Sequence, residues 1–173
     1  MELLKYYDKT NERFLGVDTR DYIHDNNLWH REVAIWIIND KKEVLLQRRS
    51  KNKTYPNKLS ITAGHVDKDE KEIDAALREI FEEIGLNITK EDLKFITIYK
   101  NLQDKNNCFS YNYLLKTNKK INDMTMQKEE VSELMYIQID ELLKRVLIGD
   151  DEIAFSRKLF INEVLEKIRE YME

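Results

Sequence analysis

The sequence has little of what would divide the chain or cross-link it. Its 173 residues include one cysteine, one proline and four glycines. A lone cysteine, Cys108, excludes an intramolecular disulfide, and its neighbours Asn107 and Phe109 fit an ordinary strand rather than a redox motif, which favours a reducing, cytoplasmic compartment. The scarcity of glycine and proline argues against a flexible linker, and the sequence shows no low-complexity segment and no repeat. We therefore expect one domain over residues 1–173.

Long apolar runs are also missing, and so is an excess of charge of one sign. No segment approaches the roughly 18 apolar residues of a membrane span, and residues 1–8 lack the basic start and apolar run of a signal peptide. The 29 basic and 33 acidic side chains give a formal net charge of -4. Without a broad cationic field, we expect neither a nucleic-acid polymer nor a membrane as a partner.

The apolar residues, 42% of the chain, are distributed in a pattern that predicts a mixed sheet with flanking helices. Residues 3–7 and 14–18 flank a turn cluster and predict a hairpin within an N-terminal extension over 1–27. Spacings of three and four predict a helix over 69–84 and a C-terminal helix within 154–173. Further strands are predicted over residues 31–38, 44–49, 59–63, 93–99, 108–115 and 133–137. We expect the first two of these strands to be antiparallel.

The segment 64–86 carries the strongest chemical signal. Gly64 is followed after five residues by Glu70, and after seven more by Arg78-Glu79-Ile80-Phe81-Glu82-Glu83-Ile84-Gly85-Leu86. On a helix, Glu79, Glu82 and Glu83 are related as i, i+3 and i+4, so their Cβ atoms lie within about 5–6 Å on one face. Such a cluster repels itself unless a cation is bound. Since Mg²⁺ prefers carboxylate oxygens, waters and substrate phosphates, the cluster predicts a metal–diphosphate site.

The other residues of this segment have physical reasons for their positions. Arg78 is expected to orient a carboxylate by a bidentate pair, with Glu70 or a glutamate of the cluster as the recipient. Gly64 ends a strand where the backbone must pass close to metal or phosphate, and Gly85 is placed for a left-handed helix C-terminus. The opposite helix face is expected to pack on the sheet through Ile73, Leu77, Ile80 and Ile84.

This pattern is similar to the Nudix box at every defined position. The resemblance to the Nudix superfamily implies an α/β (α+β) fold, an α/β/α sandwich around a mixed sheet. It also implies hydrolysis of a nucleoside diphosphate linked to another moiety, with Mg²⁺ or Mn²⁺ as cofactor. Glu79, Glu82 and Glu83 would be the metal ligands, with the Gly64 carbonyl completing the coordination and Glu70 near the metal shell. Such an ion polarises phosphorus and activates water.

Three further segments, residues 28–31, 45–50 and 63–65, resemble Nudix proteins related to isopentenyl diphosphate isomerase. The likeness spans residues 3–142. That isomerase has a catalytic cysteine immediately before the Gly-His pair and a degenerate Nudix box, whereas this chain has Ala63 and an intact box. Both departures favour hydrolysis. An isomerase-type enzyme and a non-catalytic, nucleotide-sensing Nudix module are the alternatives.

Candidate residues also lie outside the box. Many Nudix enzymes draw a further glutamate from beyond it as ligand or base, and here Glu130 is the first choice and Glu133 the second, the alternative being that both are surface charges. Arg48 and Arg49 follow an apolar strand, so alternation allows one of them to face the cleft and contact phosphate.

His30 and His65 lie beside the two motif regions and are candidates for contact with a diphosphate or a metal, although their spacing matches no recognised zinc pattern. Four aromatic residues could stack on a base, but the core is the safer assignment for each: Trp29, Trp36, Tyr111 and Tyr113. The expected partner is a small-molecule diphosphate, attacked in line by a metal-activated water with a glutamate as proton acceptor. The C-terminal helix is compatible with a homodimer.

Overall fold

A mixed sheet with helices on both faces organises the chain. The computed structural model describes residues 1–103, 105–154 and 158–172. Within these residues the strands are β1 Leu3–Tyr7, β2 Phe14–Thr19, β3 His30–Ile38, β4 Glu43–Arg49, β5 Leu59–Ser60, β6 Thr62–His65, β7 Leu93–Asn101, β8 Cys108–Lys116 and β9 Val131–Gln138. The helices are α1 Arg20–Asp25, α2 Glu72–Ile84, α3 Ile139–Ile148 and α4 Lys158–Glu170.

The central feature of the sheet is the separation of β3 from β4. These strands are antiparallel, as predicted, but their register holds a single pair, Ile38 opposite Val44. Beyond the turn, β3 pairs with β6 on one side and runs parallel to β8 on the other. Strand β4 pairs instead with β5 and β9. The single strand predicted over 59–63 is therefore two short strands, of which β5 pairs with β4 and β6 pairs with β3.

The two faces of the sheet are covered by different helices. Strand β3 is buried on both faces, which is typical of a strand inside a layered α/β fold. Val33 and Ile35 pack on one face with Ala76, Ile80 and Ile84 of α2. On the other face a second cluster joins β3 to α3 and α4, through Ala34, Trp36, Leu142, Val146, Val164 and Leu165. The predicted α/β/α arrangement is confirmed.

Several helix boundaries differ from the predictions. Helix α2 begins at Glu72 rather than at residue 69, and it ends where Gly85 adopts a φ of 70° and donates its N–H to the Phe81 carbonyl. Helix α4 begins at Lys158, and the predicted contribution of Phe155 lies outside the described residues. Helices α1 and α3 were not predicted. Of the helices in the described part of the chain, none is long and apolar enough to span a membrane.

The predicted N-terminal hairpin is formed by β1 and β2 and is fastened to the rest of the chain. Arg31 on β3 lies 2.6 Å from Glu12 of the hairpin turn and 2.6 Å from Glu72 at the start of α2. Its guanidinium also stacks over the Tyr7 ring, 4.1 Å from the ring centroid. Strand β1 is also joined to the segment that follows β6, through a β-bridge between Leu4 and Asp67.

Candidate active site

Helix α2 places its three glutamates in three different environments. Glu82 is half exposed, whereas Glu79 is 8% exposed and Glu83 is 3% exposed. Glu79 and Glu82 line a cavity of about 750 Å³ together with Gly64, Arg78 and Glu130. The prediction that all three face an open cleft therefore needs correction, because Glu83 is buried beneath the other two. Their common helix face is as the spacing predicted.

Arg78 holds the acidic cluster together. Its guanidinium donates to Glu70, with the shortest distance 2.7 Å, to Glu79 at 2.6 Å and to Glu82 at 3.1 Å. It also donates to the backbone carbonyl of His65 at 2.9 Å. The sequence left open whether Glu70 or a glutamate of the cluster would be the recipient, and the structure shows that both are. Arg78 thus fixes α2 against the end of β6.

Gly64 is required by the position of the Glu79 carboxylate. In β6 it lies opposite Val33 of β3. A Cβ atom at Gly64 would overlap the Glu79 carboxylate. The sequence predicted a close approach of backbone to metal or phosphate here, and the group that approaches is the carboxylate of Glu79. Absence of a side chain lets this carboxylate and the strand backbone meet.

The buried carboxylates of Glu79 and Glu83 have too little positive charge nearby to favour their ionised forms. A bound cation would supply that charge. Burial raises the pKa of Glu83 to about 8, with a further contribution from Glu79, against a hydrogen bond from Gln47 Nε2 at 2.8 Å. Burial also raises the pKa of Glu79 to about 7, although Arg78 opposes this effect. A hard divalent cation favours the ionised form of both groups. The donor set therefore fits Mg²⁺ or Mn²⁺.

Gln47 is a site residue that the sequence analysis did not identify. It is buried on β4 and its Nε2 donates to Glu83, while its Oε1 accepts a long hydrogen bond from the Thr62 hydroxyl at 3.4 Å. Its only sequence signal is one polar residue at the end of the apolar run Val44–Leu46. Such a residue is buried only when it has partners.

Glu130 lies in a loop that two backbone hydrogen bonds hold in place. Gln127 N donates to the Glu83 carbonyl at 3.1 Å, and Ser50 N donates to the Glu130 carbonyl at 2.9 Å. Its carboxylate lines the cavity and contributes, after burial, to the raised pKa of Glu79 and of Glu83. Glu133, the second choice, lies outside the cavity lining and pairs with Arg48 at 2.8 Å.

The two arginines at the end of β4 face opposite sides, as alternation predicted. Arg49 lines the cavity, and its Nε donates to the Thr54 carbonyl at 2.6 Å. Arg48 binds Glu133 and the carbonyl of Asn57 instead. The prediction that Arg48 contacts substrate is corrected, because its guanidinium is engaged outside the cavity lining.

Comparison with known proteins identifies the family. A model of the NUDIX domain matches residues 28–157, well over half of the chain. The chain belongs to the Nudix family. The matched segment contains the whole of the acidic cluster, Gly64 and Glu130.

Relatives and solved structures agree with this membership. An uncharacterized Nudix hydrolase of Clostridium acetobutylicum is 30% identical, and the alignment covers 94% of this chain and 82% of that protein. The chloroplastic isopentenyl-diphosphate Delta-isomerase I of Arabidopsis thaliana is 29% identical, over 94% of this chain and 65% of its own length. A crystal structure from Deinococcus radiodurans shares the fold with a TM-score of 0.77 at 21% identity, covering 94% of this chain and 98% of that one. The chain is accordingly a Nudix pyrophosphohydrolase.

A group of three histidines lies beside the Nudix box in the structure. His24, His30 and His65 each offer a ring nitrogen, and these atoms lie within 4.8 Å of one another. Burial lowers the pKa of His24 to about 4 and that of His30 to about 3, so both are neutral near pH 7. Neutral imidazoles are ligands for transition-metal ions. No pattern in the sequence pointed to His24, which lies on the unpredicted helix α1.

The two predicted histidines differ in their access to the cavity. His65 lines it and its Nδ1 lies 2.9 Å from the Glu2 carboxylate, which comes from the N-terminal hairpin. His30 is fully buried and lies outside the cavity lining. The prediction that His30 contacts the diphosphate is therefore wrong for this Nudix chain, whereas contact by His65 stays a prediction.

The aromatic candidates are mainly structural. Trp36 and Tyr113 are buried in the core, as predicted, and the Trp36 indole donates to Asn112 at 3.0 Å. Trp29 packs on Phe109, with ring centroids 5.1 Å apart. The Tyr111 hydroxyl donates to Glu12 at 2.6 Å. These residues shape the Nudix core and anchor the hairpin.

Proposed function

We propose that this chain is a magnesium-dependent hydrolase that cleaves the phosphoanhydride bond of a nucleoside diphosphate linked to another moiety. One observation carries the proposal: Glu79, Glu82 and Glu130 converge on one cavity, with Glu83 directly beneath and Arg78 bracing the group. Divalent cations bound to the carboxylates would neutralise the charge of a diphosphate in the same cavity.

The metal-binding role is assigned to Glu79, Glu82 and Glu83, with the Gly64 carbonyl as a further ligand. A bound Mg²⁺ or Mn²⁺ supplies charge neutralisation on the diphosphate and a more acidic coordinated water. Arg78 keeps the carboxylates in place through its four contacts. Because the three glutamates lie on a helix packed against the sheet and Gly64 lies in a strand, the positions of these ligands are fixed before substrate binds.

The protein groups around this cluster supply the remaining steps. Glu130 accepts a proton from the water that attacks one phosphorus in line, and the anhydride P–O bond breaks to release the second phosphate with its electron pair. Arg49 lies in the same cavity and is assigned to a phosphate oxygen. Glu130 is on a loop rather than on α2, which allows it to approach the phosphorus from another side than the metal ligands.

The nucleoside part of the proposal is supported by side-chain amides in the cavity lining. Each amide offers a donor and an acceptor, which match the edges of a base or a ribose. The residues concerned are Asn52, Asn101 and Asn106. Among the described residues the buried Asn106 Oδ1 has no hydrogen-bond partner, so a hydrocarbon group beside it would leave this acceptor unpaired, which disfavours an isoprenoid chain.

Isomerase chemistry needs a protein group that donates a proton to carbon. Ala63 lines the cavity at the position where the related isomerases have cysteine, and a methyl group has no proton to transfer. Cys108 is buried in β8. Product analysis separates the two reactions, because isomerisation releases no phosphate-containing fragment.

The direct test is turnover of a panel of nucleoside diphosphate derivatives, including ADP-ribose, and of isopentenyl diphosphate, with Mg²⁺ present. Glu82→Gln is the informative variant, since Glu82 is half exposed and its loss leaves the core intact. We expect kcat to fall by on the order of 100-fold or more, whereas Glu163→Gln on the exposed side of α4 keeps native activity. Tight binding of a nucleotide without turnover by the native protein would identify a sensing module instead.

A further inference from the structure

An ion pair at the mouth of the cavity is not explained by the Nudix box. Lys53 Nζ lies 2.6 Å from Glu130 Oε2, and both side chains are about one-third exposed, at 34% and 31%. Both residues line the cavity. The carboxylate oxygen assigned as proton acceptor is therefore occupied by the lysine ammonium.

The backbone beneath this pair is held in place. Ser50 donates its N–H to the Glu130 carbonyl at 2.9 Å and its hydroxyl to the Glu129 carbonyl. Lys53 N donates to the Ser50 carbonyl at 3.2 Å, which closes a turn directly above the Glu130 loop. Since both loops are tied to each other, only the flexible four-carbon stem of Lys53 needs to move for the ammonium to change partner.

Lys53 is held less firmly than Arg78 and Arg49, the two arginines of the cavity. Arg78 is engaged by Glu70, Glu79, Glu82 and a backbone carbonyl, so it has no freedom to follow a substrate. Arg49 is oriented by the Thr54 carbonyl of its own loop. Within residues 1–103, 105–154 and 158–172, the ion-pair partner of Lys53 is the partly exposed Glu130 alone, and an ion pair of that kind contributes little net free energy.

We propose that Lys53 exchanges partners during the reaction: its ammonium neutralises Glu130 before substrate arrives, then moves to a phosphate oxygen of the bound diphosphate and frees Glu130 to accept a proton. The exchange rests on the proposed function, because it requires a diphosphate in this cavity. A diphosphate carries more negative charge than a carboxylate, and its oxygens can accept hydrogen bonds from an ammonium in many directions. It is therefore the stronger partner for the Lys53 ammonium. Substrate binding and release of the base become one event.

Competition between Glu130 and the ligand for one ammonium predicts a coupled effect on binding. The probe is methylenediphosphonate, which resembles a diphosphate and is not hydrolysed, titrated calorimetrically at saturating Mg²⁺. Glu130→Gln should tighten its binding roughly five- to tenfold when Lys53 is present, because the ammonium is then released. In the Lys53→Met background the competition is absent, and the same substitution should tighten binding by a clearly smaller factor, which reflects the removal of the Glu130 charge alone. Equal factors in both backgrounds would show that only the overall charge matters and would reject the exchange.

A matched control and an activity measurement keep the outcomes apart. Lys51→Met removes an exposed lysine of the same loop that lies outside the cavity lining, and it should leave binding unchanged. An equal effect of Lys51→Met and Lys53→Met would also reject the exchange. If the native protein hydrolyses a nucleoside diphosphate derivative but shows no coupling, only the exchange is wrong. If the coupling is present and no compound is turned over, the move of Lys53 to the diphosphate stands, but the proposed hydrolase and the release of Glu130 as its base are wrong.

Discussion

At the scale of single residues, the three glutamates of α2 show what a spacing can predict and what it cannot. The i, i+3, i+4 pattern was sufficient to place Glu79, Glu82 and Glu83 on one helix face. Their unequal burial depends on Gln47 and on the packing of β6, which belong to distant parts of the chain. For the same reason the sequence could not separate Arg48 from Arg49 or show that His30 is covered.

Gly64→Ala tests how closely the Glu79 carboxylate must approach β6. Because the new methyl group would overlap that carboxylate, we expect Glu79 to be displaced and kcat/KM to fall more than tenfold. Steady-state kinetics at saturating Mg²⁺ measures this. Gly149→Ala is the control, since it strains a left-handed residue with a φ of 76° at the end of α3. It should lower the free energy of unfolding by about 1 kcal/mol and leave kcat/KM unchanged. A fully active Gly64→Ala enzyme would remove Glu79 from the metal ligands.

At the scale of elements, strand and helix positions could be predicted far better than their partners. The β-branched run in β3 and the helical spacing in α2 are local signals. That β3 leaves β4 after one pair and joins β6 and β8 is decided by residues far along the chain. Helix α3 does carry a local signal, Ile139, Leu142 and Val146 at helical spacing. The six-residue helix α1 is too short to show such a spacing.

The N-terminal hairpin should depend on one arginine for its attachment. Arg31→Met keeps the apolar stem but leaves Glu12 and Glu72 without their partner, at a cost of about 1–3 kcal/mol, lower than for a fully buried pair. Urea unfolding measures the total effect, and amide hydrogen exchange of Leu3–Tyr7 measures local opening of β1. The exposed Arg13→Met is the matched control and should change neither quantity. Unaltered protection of β1 in Arg31→Met would mean that the β-bridges Leu4–Asp67 and Tyr7–Trp29 suffice to hold the hairpin.

At the scale of the whole molecule, the acidic cluster should lower stability until a cation binds. Glu83 is almost fully buried beside Glu79, so with a chelator present Glu83→Gln is expected to raise the free energy of unfolding by on the order of 1–2 kcal/mol. Added Mg²⁺ should stabilise the native protein, because the ion binds the folded state selectively, and should have much less effect on the variant. Thermal and urea unfolding with and without Mg²⁺ measure both effects. Glu163→Gln should behave as native, and a Glu83→Gln protein that is less stable than native in the chelator would contradict this account.

The separation of β3 from β4 after a single residue pair affects the order in which the strands of the chain can fold. Strand β3 cannot complete its pairing with its neighbour in sequence and must wait for β8, while β4 must wait for β9. Folding that depends on such distant pairings is slow, because a long loop must close at an entropic cost before the stabilising contacts can form. Because Glu130 immediately precedes β9, its carboxylate joins those of α2 only when this last strand docks. A nascent chain would thus carry its complete Nudix box well before its active site exists, and the gain of the ability to capture a diphosphate would mark the end of folding.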